Sequence, residues 1–483
     1  MDVVQAAPGP RKIVIDPVTR VEGHGKVTIR LNEHGEVDDA RFHIIEFRGF
    51  ERFIRGRMFW EAPVIIQRLC GICPVSHHLA AAKAMDMVVG VDKPPPTAEK
   101  VRRLMHYGQL LQSNALHFFH LAAPDLLFGF DAPPEQRNIL HILTEHPKIG
   151  RWAIFIRKFG QEVIKATGGR KIHPTSAVPG GVNKNLSVEE RDALRKEIDQ
   201  IVTWCCEALE HHKAYVEAHQ ELHRSFAAFR SSFVSLVGPK GVMDLYDGRL
   251  RAIDADGGTI FDDVAPADYR DHFVEEVRSW SYMKFPHIRS LGREHGWYRV
   301  GPLAQINCCA SIDTPLAEAA RREFFAMNGG SPVHPTLAYH WARLICVVHC
   351  AEKIRELLFD DELQGSDLIA RGERRREGVA CIEAPRGTLF HHYTVDDNDQ
   401  IASANLIVST TSNNEALNRA VKQVAKHDLS GREITEGLLN HIEVAIRAYD
   451  PCLSCATHAL GQMPLIVTLE DVDGAVIATR RKE

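Results

Sequence analysis

Arg68-Leu69-Cys70-Gly71-Ile72-Cys73-Pro74-Val75-Ser76-His77 and Asp450-Pro451-Cys452-Leu453-Ser454-Cys455-Ala456-Thr457-His458 are the stretches from which the rest of the chain is read. Each holds a Cys-x-x-Cys pair, a spacing that lets two thiolates bind one metal centre, and a His a few residues beyond the second cysteine. Random placement of 11 cysteines in 483 residues gives about 0.25 such pairs, so two exceed chance. A zinc ribbon closes a loop of roughly 15–20 residues, whereas hundreds of residues separate these pairs. A shared site therefore requires the two ends of the chain to meet inside a large core.

Composition permits such a core. Hydrophobic residues make up 45% of the chain and charged residues 25%, ordinary values for a soluble globular protein. Net charge is −5 and the basic residues form no stripe, which argues against nucleic acid as a partner. No apolar run approaches the roughly 18 residues of a membrane-spanning helix, and the first residues have no apolar signal segment. The expected location is cytoplasmic. There is no phosphate-binding G-x-x-x-x-G-K-[ST] loop and no convincing dinucleotide fingerprint, so nucleotide binding by this chain is not supported.

Along the chain, Lys12 to Phe47 contains strand-like stretches such as Lys26 to Leu31, with a turn signal at Gly35. A helical pattern follows from about Ala62 through the first cysteine pair. Thr97 to Phe119 reads as a helix with Thr97 as N-cap, and Val188 to Phe226 as a longer one. His173-Pro174 and Pro179-Gly180-Gly181 mark a loop that needs unusual backbone angles. Leu245 to Val264 alternates as a small β insertion. Further helices are predicted over Pro315 to Met327, Ala338 to Phe359, Asn414 to Val424 and Ile434 to Tyr449. The end of the chain, Leu465 to Leu469 and Ala475 to Thr479, reads as a hairpin. The expected fold is mainly α (α+β): a large central helical bundle with an N-terminal antiparallel β unit and a small β insertion. Its parts are a β unit over 1–60, helical core with the first cysteine pair over 61–240, the β insertion over 241–290, helical core with the second pair over 291–458, and a terminal stretch over 459–483.

Four thiolates suit zinc, an iron–sulfur centre, or a nickel- or copper-type site. His77 and His458 stand where they could tune the thiolates or bind a second ion, although a lone His is more often a satisfied surface or core residue. Glu22 beside Gly23, Glu51 near Gly49, and Arg386 between Pro385 and Gly387 are candidates for proton handling and for pairing an anionic group; singly, each reads as a solvated surface residue. The other cysteines, among them Cys346 and Cys350 on a predicted helix, read as buried packing thiols. His211, His212, His219 and His223 read as a solvated helix face.

Taken together, these residues resemble the large, catalytic subunit of [NiFe]-hydrogenases. The resemblance rests on Arg-Val-Glu-Gly-His at 20–24, Arg-Gly-Phe-Glu at 48–51, Arg-x-Cys-Gly-x-Cys-x-x-x-His at 68–77, His-Phe-Phe-His-Leu at 117–121, Glu-Ala-Pro-Arg-Gly at 383–387 and Asp-Pro-Cys-x-x-Cys-x-x-His at 450–458. The wording Cys-Leu-Ser-Cys-Ala-Thr-His and Phe390-His391-His392-Tyr393 looks most like the cytoplasmic bidirectional, NAD-linked subgroup.

The resemblance implies reversible heterolysis of dihydrogen at a Ni-Fe centre whose iron carries CO and cyanide. Cys70 and Cys452 would be terminal nickel ligands, and Cys73 and Cys455 bridges. Cys452 would take the proton first and pass it to Glu22. Arg386, Pro385 and Asp450 would form the outer wall, His77 would hydrogen-bond a bridging thiolate, and Thr410 a cyanide. Glu51, His458 and the Leu406 carbonyl would hold Mg2+. Two departures stand out: Val408 to Asn413 differs from the wording of many relatives, and Ser113 replaces an Asp of the outer wall.

The same resemblance implies partners: a small subunit with Fe-S clusters, a flavin- and NAD-binding diaphorase module, nickel-insertion factors, and a maturation endopeptidase that removes 459–483 after His458. The rival readings are a hydrogen-sensing relative, a structural zinc protein, and the quinone-site relative in respiratory complex I, whose kind has generally lost the cysteine pairs.

Overall fold

In the computed structural model, which describes residues 12–458, 465–470 and 476–482, the centre is the helix Ala338–Leu358. Buried residues occupy every side of it, as expected of a helix enclosed by other elements. Pro96–Leu116 and Val188–Ala218 pack against it, and Pro147–Gly168 against both of those.

Local chemistry explains these elements. Val188–Ala218 begins with a capping box in which Ser187 Oγ accepts from Glu190 N and Glu190 Oε2 accepts from Ser187 N. It ends at Ala218, and a short helix Gln220–Ser225 follows, so the predicted run to Phe226 is two helices. Pro96–Leu116 has Pro at its first turn; Pro95, not Thr97, is its N-cap. Past Leu116 the backbone widens into a π turn over His117–Ala122. The helix Pro147–Gly168 is not among the predicted ones, although its buried residues Ile149, Trp152, Ile156, Phe159 and Val163 recur at helical spacing; Gly150 and Gly160 lower its helix propensity. Those glycines are what packing requires: a Cβ at Gly160 would sit 2.7 Å from the Gly108 carbonyl oxygen, so this helix and Pro96–Leu116 meet backbone to backbone. Pro74–Val88, Pro315–Met327, Asn414–Leu429 and Glu436–Ala448 complete the long helices among the described residues.

The N-terminal unit is a three-stranded antiparallel sheet of Lys12–Ile15, Gly25–Leu31 and Val37–Ile44, with alternating burial along its middle strand. Strands Ser232–Val237, Arg249–Ile253 and Thr259–Val264, with Tyr298–Arg299 beside the first, make a second sheet that begins before and ends beyond the alternation seen in sequence. A third sheet, Glu377–Ala384, Gly387–Val395 and Ile401–Ile407, lies within what reads as helical core. Nearly every residue of its first two strands is buried, so they lack the alternation that announces a half-exposed strand. Leu465–Glu470 pairs antiparallel with Val476–Lys482, as the hairpin reading expects.

Two histidine expectations are corrected. His212 and His223 are buried, not solvated: their helices turn these faces toward the helix that carries His340. His211 and His219 are exposed. Cys346 and Cys350 are buried, as expected of packing thiols.

Candidate metal centre

The two cysteine pairs meet. Cys70 Sγ lies 3.3 Å from Cys452 Sγ, Cys73 Sγ lies 3.8 Å from Cys452 Sγ and 3.6 Å from Cys455 Sγ, and the second pair's sulfurs are 2.9 Å apart. Thiolates sharing a metal at about 2.3 Å in tetrahedral geometry lie about 3.8 Å apart. All four are buried, and among the described residues they are the only group of three or more His, Cys, Asp or Glu ligand atoms close enough to share an ion. Four soft donors closed off from water fit a thiophilic metal centre.

The first pair does not lie inside a helix. Helix Ala62–Ile66 gives way to a 3₁₀ turn Gln67–Leu69, Cys70 is extended, and Cys73 is the N-cap of a new helix Pro74–Val88 with Pro74 at its first position. Backbone N–H groups of Ile72 and Cys73 donate to Cys70 Sγ at 3.2 and 3.3 Å. The neighbouring thiols Cys452, Cys455 and Cys70, with His77, hold the Cys73 thiol well below its ordinary pKa, whereas burial pushes Cys452 and Cys455 up.

The second pair is held by distant residues. Asp450 takes a left-handed conformation (φ 52°), and a short 3₁₀ turn, Ser454–Ala456, follows. Cys452 N donates to Thr410 Oγ1 at 2.9 Å, and Leu453 N to the Glu22 carbonyl at 2.9 Å. Glu22 Oε2 accepts from Cys452 Sγ at 3.0 Å and from Ser454 N at 3.1 Å. This approach depends on Gly23, at φ +82°, where a Cβ would lie 2.7 Å from Ser454 N. Arg20, also left-handed, pins the loop by its ion pair with buried Asp125.

Arg386 occupies the two-residue turn between strands Glu377–Ala384 and Gly387–Val395. It is buried rather than a surface turn residue: Nε donates to the Asp450 carbonyl at 2.6 Å and Nη2 to Asp450 Oδ1 at 3.0 Å, while Nη1 has no partner. A second guanidinium, Arg343, stands 3.6 Å from Asp450 Oδ2 and donates to Asn114 Oδ1 and the Pro385 carbonyl. Nothing in the sequence around Arg343 singles it out beyond its place on an apolar helix. Ser113 Oγ is buried without a partner. Next to it, Asn114 meets Arg343.

Glu51, Leu406 and His458 come from three further segments, and Glu51 and His458 both lie near Lys284. Glu51 Oε1 accepts from Leu406 N at 2.8 Å and lies 3.7 Å from Lys284 Nζ. Burial raises the Glu51 carboxyl. His458 is buried, neither ring nitrogen has a hydrogen-bond partner, and burial together with Lys284 brings its pKa to about 3. Arg48 donates its backbone N–H to Thr457 Oγ1 at 3.2 Å and its guanidinium to the Leu69 carbonyl at 3.0 Å, so one residue ties the two cysteine segments together. His77 Nδ1 shares a hydrogen bond with His391 Nε2 at 3.0 Å.

Comparison with known proteins agrees with this geometry. The sequence model described as nickel-dependent hydrogenase matches residues 48–131 and 251–458, and one described as HoxL-like matches 12–47. The beta subunit of the NAD-reducing hydrogenase HoxS of Cupriavidus necator is 49% identical, over 98% of this chain and 100% of that protein. A protein of the F420-non-reducing hydrogenase of Methanothermobacter marburgensis is 42% identical, over 96% of this chain and 98% of its own length. The crystal structure of an NAD+-reducing [NiFe]-hydrogenase in the H2-reduced state superimposes with a TM-score of 0.91 at 56% identity, over 93% of this chain and 99% of that one. Matches of this extent, joined to four buried thiols drawn from both ends of the sequence, make this chain a member of the nickel-dependent hydrogenase family, a catalytic large subunit.

Proposed function

We propose that this hydrogenase subunit cleaves dihydrogen heterolytically and reversibly in a cytoplasmic assembly that passes the electrons to NAD. The observation that carries the reading is the contact between Cys452 Sγ and Glu22 Oε2 at the edge of the four-thiol cluster. Cys70, Cys73, Cys452 and Cys455 would hold a nickel–iron centre with CO and cyanide on iron, Cys70 and Cys452 as terminal and Cys73 and Cys455 as shared ligands, and that centre would supply Lewis acidity and an electron sink.

The chain's own residues handle the proton. The Cys452 thiolate accepts it and hands it 3.0 Å to Glu22, whose carboxylate is held in place by Ser454 N–H. Arg386, fixed by Asp450 and backed by Pro385, keeps an unpaired N–H in the buried wall. A fixed donor in a water-excluded wall stabilises developing negative charge without reorganising. Thr410 Oγ1 already accepts from Cys452 N, which leaves its hydroxyl proton free for a cyanide nitrogen.

Glu51, His458 and the Leu406 carbonyl would hold Mg2+. The unpartnered ring nitrogens of buried His458 fit such a role, with the nearby Lys284 ammonium offset by Glu275 at 3.0 Å. Partner subunits would carry Fe-S clusters, flavin and NAD. Support for NAD comes from the relative in Cupriavidus necator and the superimposed crystal structure, both called NAD-reducing. No helix among the described residues is long and apolar enough to cross a membrane.

Residues 459–483 would be removed by an endopeptidase after nickel-insertion factors have loaded the site. The family match ends at residue 458. Mass spectrometry of active enzyme is expected to find a chain ending at His458, and retention of the tail would overturn this part. Elemental analysis of protein co-produced with its maturation machinery is expected to find nickel and iron in comparable amounts, with infrared bands of CO and cyanide. Zinc alone would overturn the reading of the centre.

A further inference from the structure

Three fully buried groups form a line that leads toward Cys73: Tyr393 Oη lies 2.8 Å from His391 Nδ1, His391 Nε2 lies 3.0 Å from His77 Nδ1, and His77 stands close enough to the Cys73 sulfur to help hold its thiol below the ordinary pKa. The fold builds it. Residues two apart on a strand share a face, so His391 and Tyr393 point together from Gly387–Val395 toward the helix Pro74–Val88, while His392 points away to Tyr269 and Glu377. His77 lies in the first turn of that helix, four residues after Cys73.

A neutral imidazole has one N–H and one bare nitrogen, and its outer partner decides which is which. Burial holds His391 neutral, and its Nδ1 is, among the described residues, the only hydrogen-bond partner of the buried Tyr393 hydroxyl, so the phenol proton is left unpaired unless it points there. Tyr393 therefore donates to His391 Nδ1. The only ring proton of His391 is then on Nε2, where it donates to His77 Nδ1. His77 in turn carries its proton on Nε2, the nitrogen left for the sulfur.

We propose that His391 and Tyr393 are positioning residues that fix the tautomer of His77, so that it always presents an N–H to the Cys73 thiolate. The proposal rests on the reading of Cys73 as a metal-bridging thiolate. A hydrogen bond to such a sulfur withdraws electron density from the centre, and partners behind a ligand tune a metal in this way. Without the Tyr393 hydroxyl, the opposite proton arrangement becomes available: His391 with its proton on Nδ1, His77 with its proton on Nδ1, and a bare nitrogen at the sulfur.

The test uses the mature complex carrying Tyr393→Phe, His391→Leu or His391→Gln, with infrared spectra and potentiometric titration of the metal centre. Gln places an amide N–H where His391 has Nε2–H, so His391→Gln is the variant that retains the donor to His77. Tyr393→Phe and His391→Leu are expected to move the CO and cyanide bands to lower wavenumber and lower the midpoint potential, while His391→Gln stays near the parent. Tyr393→Phe removes one oxygen without changing shape, so it decides the matter together with His391→Gln if His391→Leu fails to fold. Parental bands and potential in both of those variants, or equal displacement in both, would overturn the proposal. Absence of CO and cyanide bands from the parent protein itself would instead overturn the reading of the centre.

Discussion

The two cysteine pairs supply the same four sulfurs by opposite means. Cys70 and Cys73 are organised locally: the backbone N–H groups of Ile72 and Cys73 point at the Cys70 sulfur, Cys73 caps a 15-residue helix, and His77 is in its first turn. Helix N-termini favour negative charge and lower thiol pKa values, so this half is suited to hold thiolate before metal arrives. Cys452 and Cys455 follow the end of the helix Glu436–Ala448 and open no helix longer than the turn Ser454–Ala456. Their segment takes its shape from Glu22, Gly23 and Thr410, residues remote in sequence. One half of the centre is thus a property of a motif, and the other is a property of the finished fold.

Removing a sulfur tests what the halves share. Cys73→Ser and Cys455→Ser are each expected to leave protein without stoichiometric nickel and without hydrogen uptake, because a hydroxyl is a poor ligand for a soft metal. Nickel retained in either variant, read by elemental analysis, would contradict a four-thiolate centre. Next in size is Glu22→Gln, which touches only the second half. It keeps the acceptor oxygen for Ser454 N–H but cannot take a proton, so metal content should be unchanged and turnover should fall by about 10²–10⁴-fold. Steady-state hydrogen oxidation together with the metal assay separates this outcome from a loading defect.

Gly23→Ala comes third. The added Cβ would meet Ser454 N at 2.7 Å and the Leu453 Cβ at 2.9 Å, in a backbone conformation at φ +82° that L-residues rarely adopt. Strain of this kind costs about 1–3 kcal/mol. Displacing the second cysteine segment from Glu22 should slow turnover by on the order of ten- to a hundredfold. Thermal unfolding and activity of the purified variant measure the two effects.

The same contrast governs what can be read from sequence. The first half is legible because its chemistry is packed into ten consecutive residues, and the N-terminal strands because one face alternates. The meeting of the pairs can be required, but Glu22 at Cys452 Sγ can be named only by family resemblance, since no local pattern links positions so far apart. Arg343 is invisible for a different reason. It sits at full burial in the helix Ala338–Leu358, where its neighbours in sequence are apolar and its partners, Asn114, Pro385 and Asp450, come from three other segments. The sheet at 377–407 is hidden by its own burial, which replaces alternation with near-continuous apolar character.

Gly71→Ala should have the smallest effect, and it sharpens the comparison most directly. Gly71 is the residue inside the first pair, yet a Cβ built there meets nothing within 4 Å, and its backbone is not in the left-handed region. Where no contact is made and no unusual angle is required, substitution changes stability by no more than about 0.5 kcal/mol. Nickel content, unfolding temperature and turnover should therefore stay close to the parent values. A glycine between two ligands would then be dispensable as to its side chain, while Gly23, more than four hundred residues from the second pair in sequence, is not. If Gly71→Ala instead lost metal, the first half would also depend on backbone freedom, and the division into a locally built half and a fold-dependent half would fail.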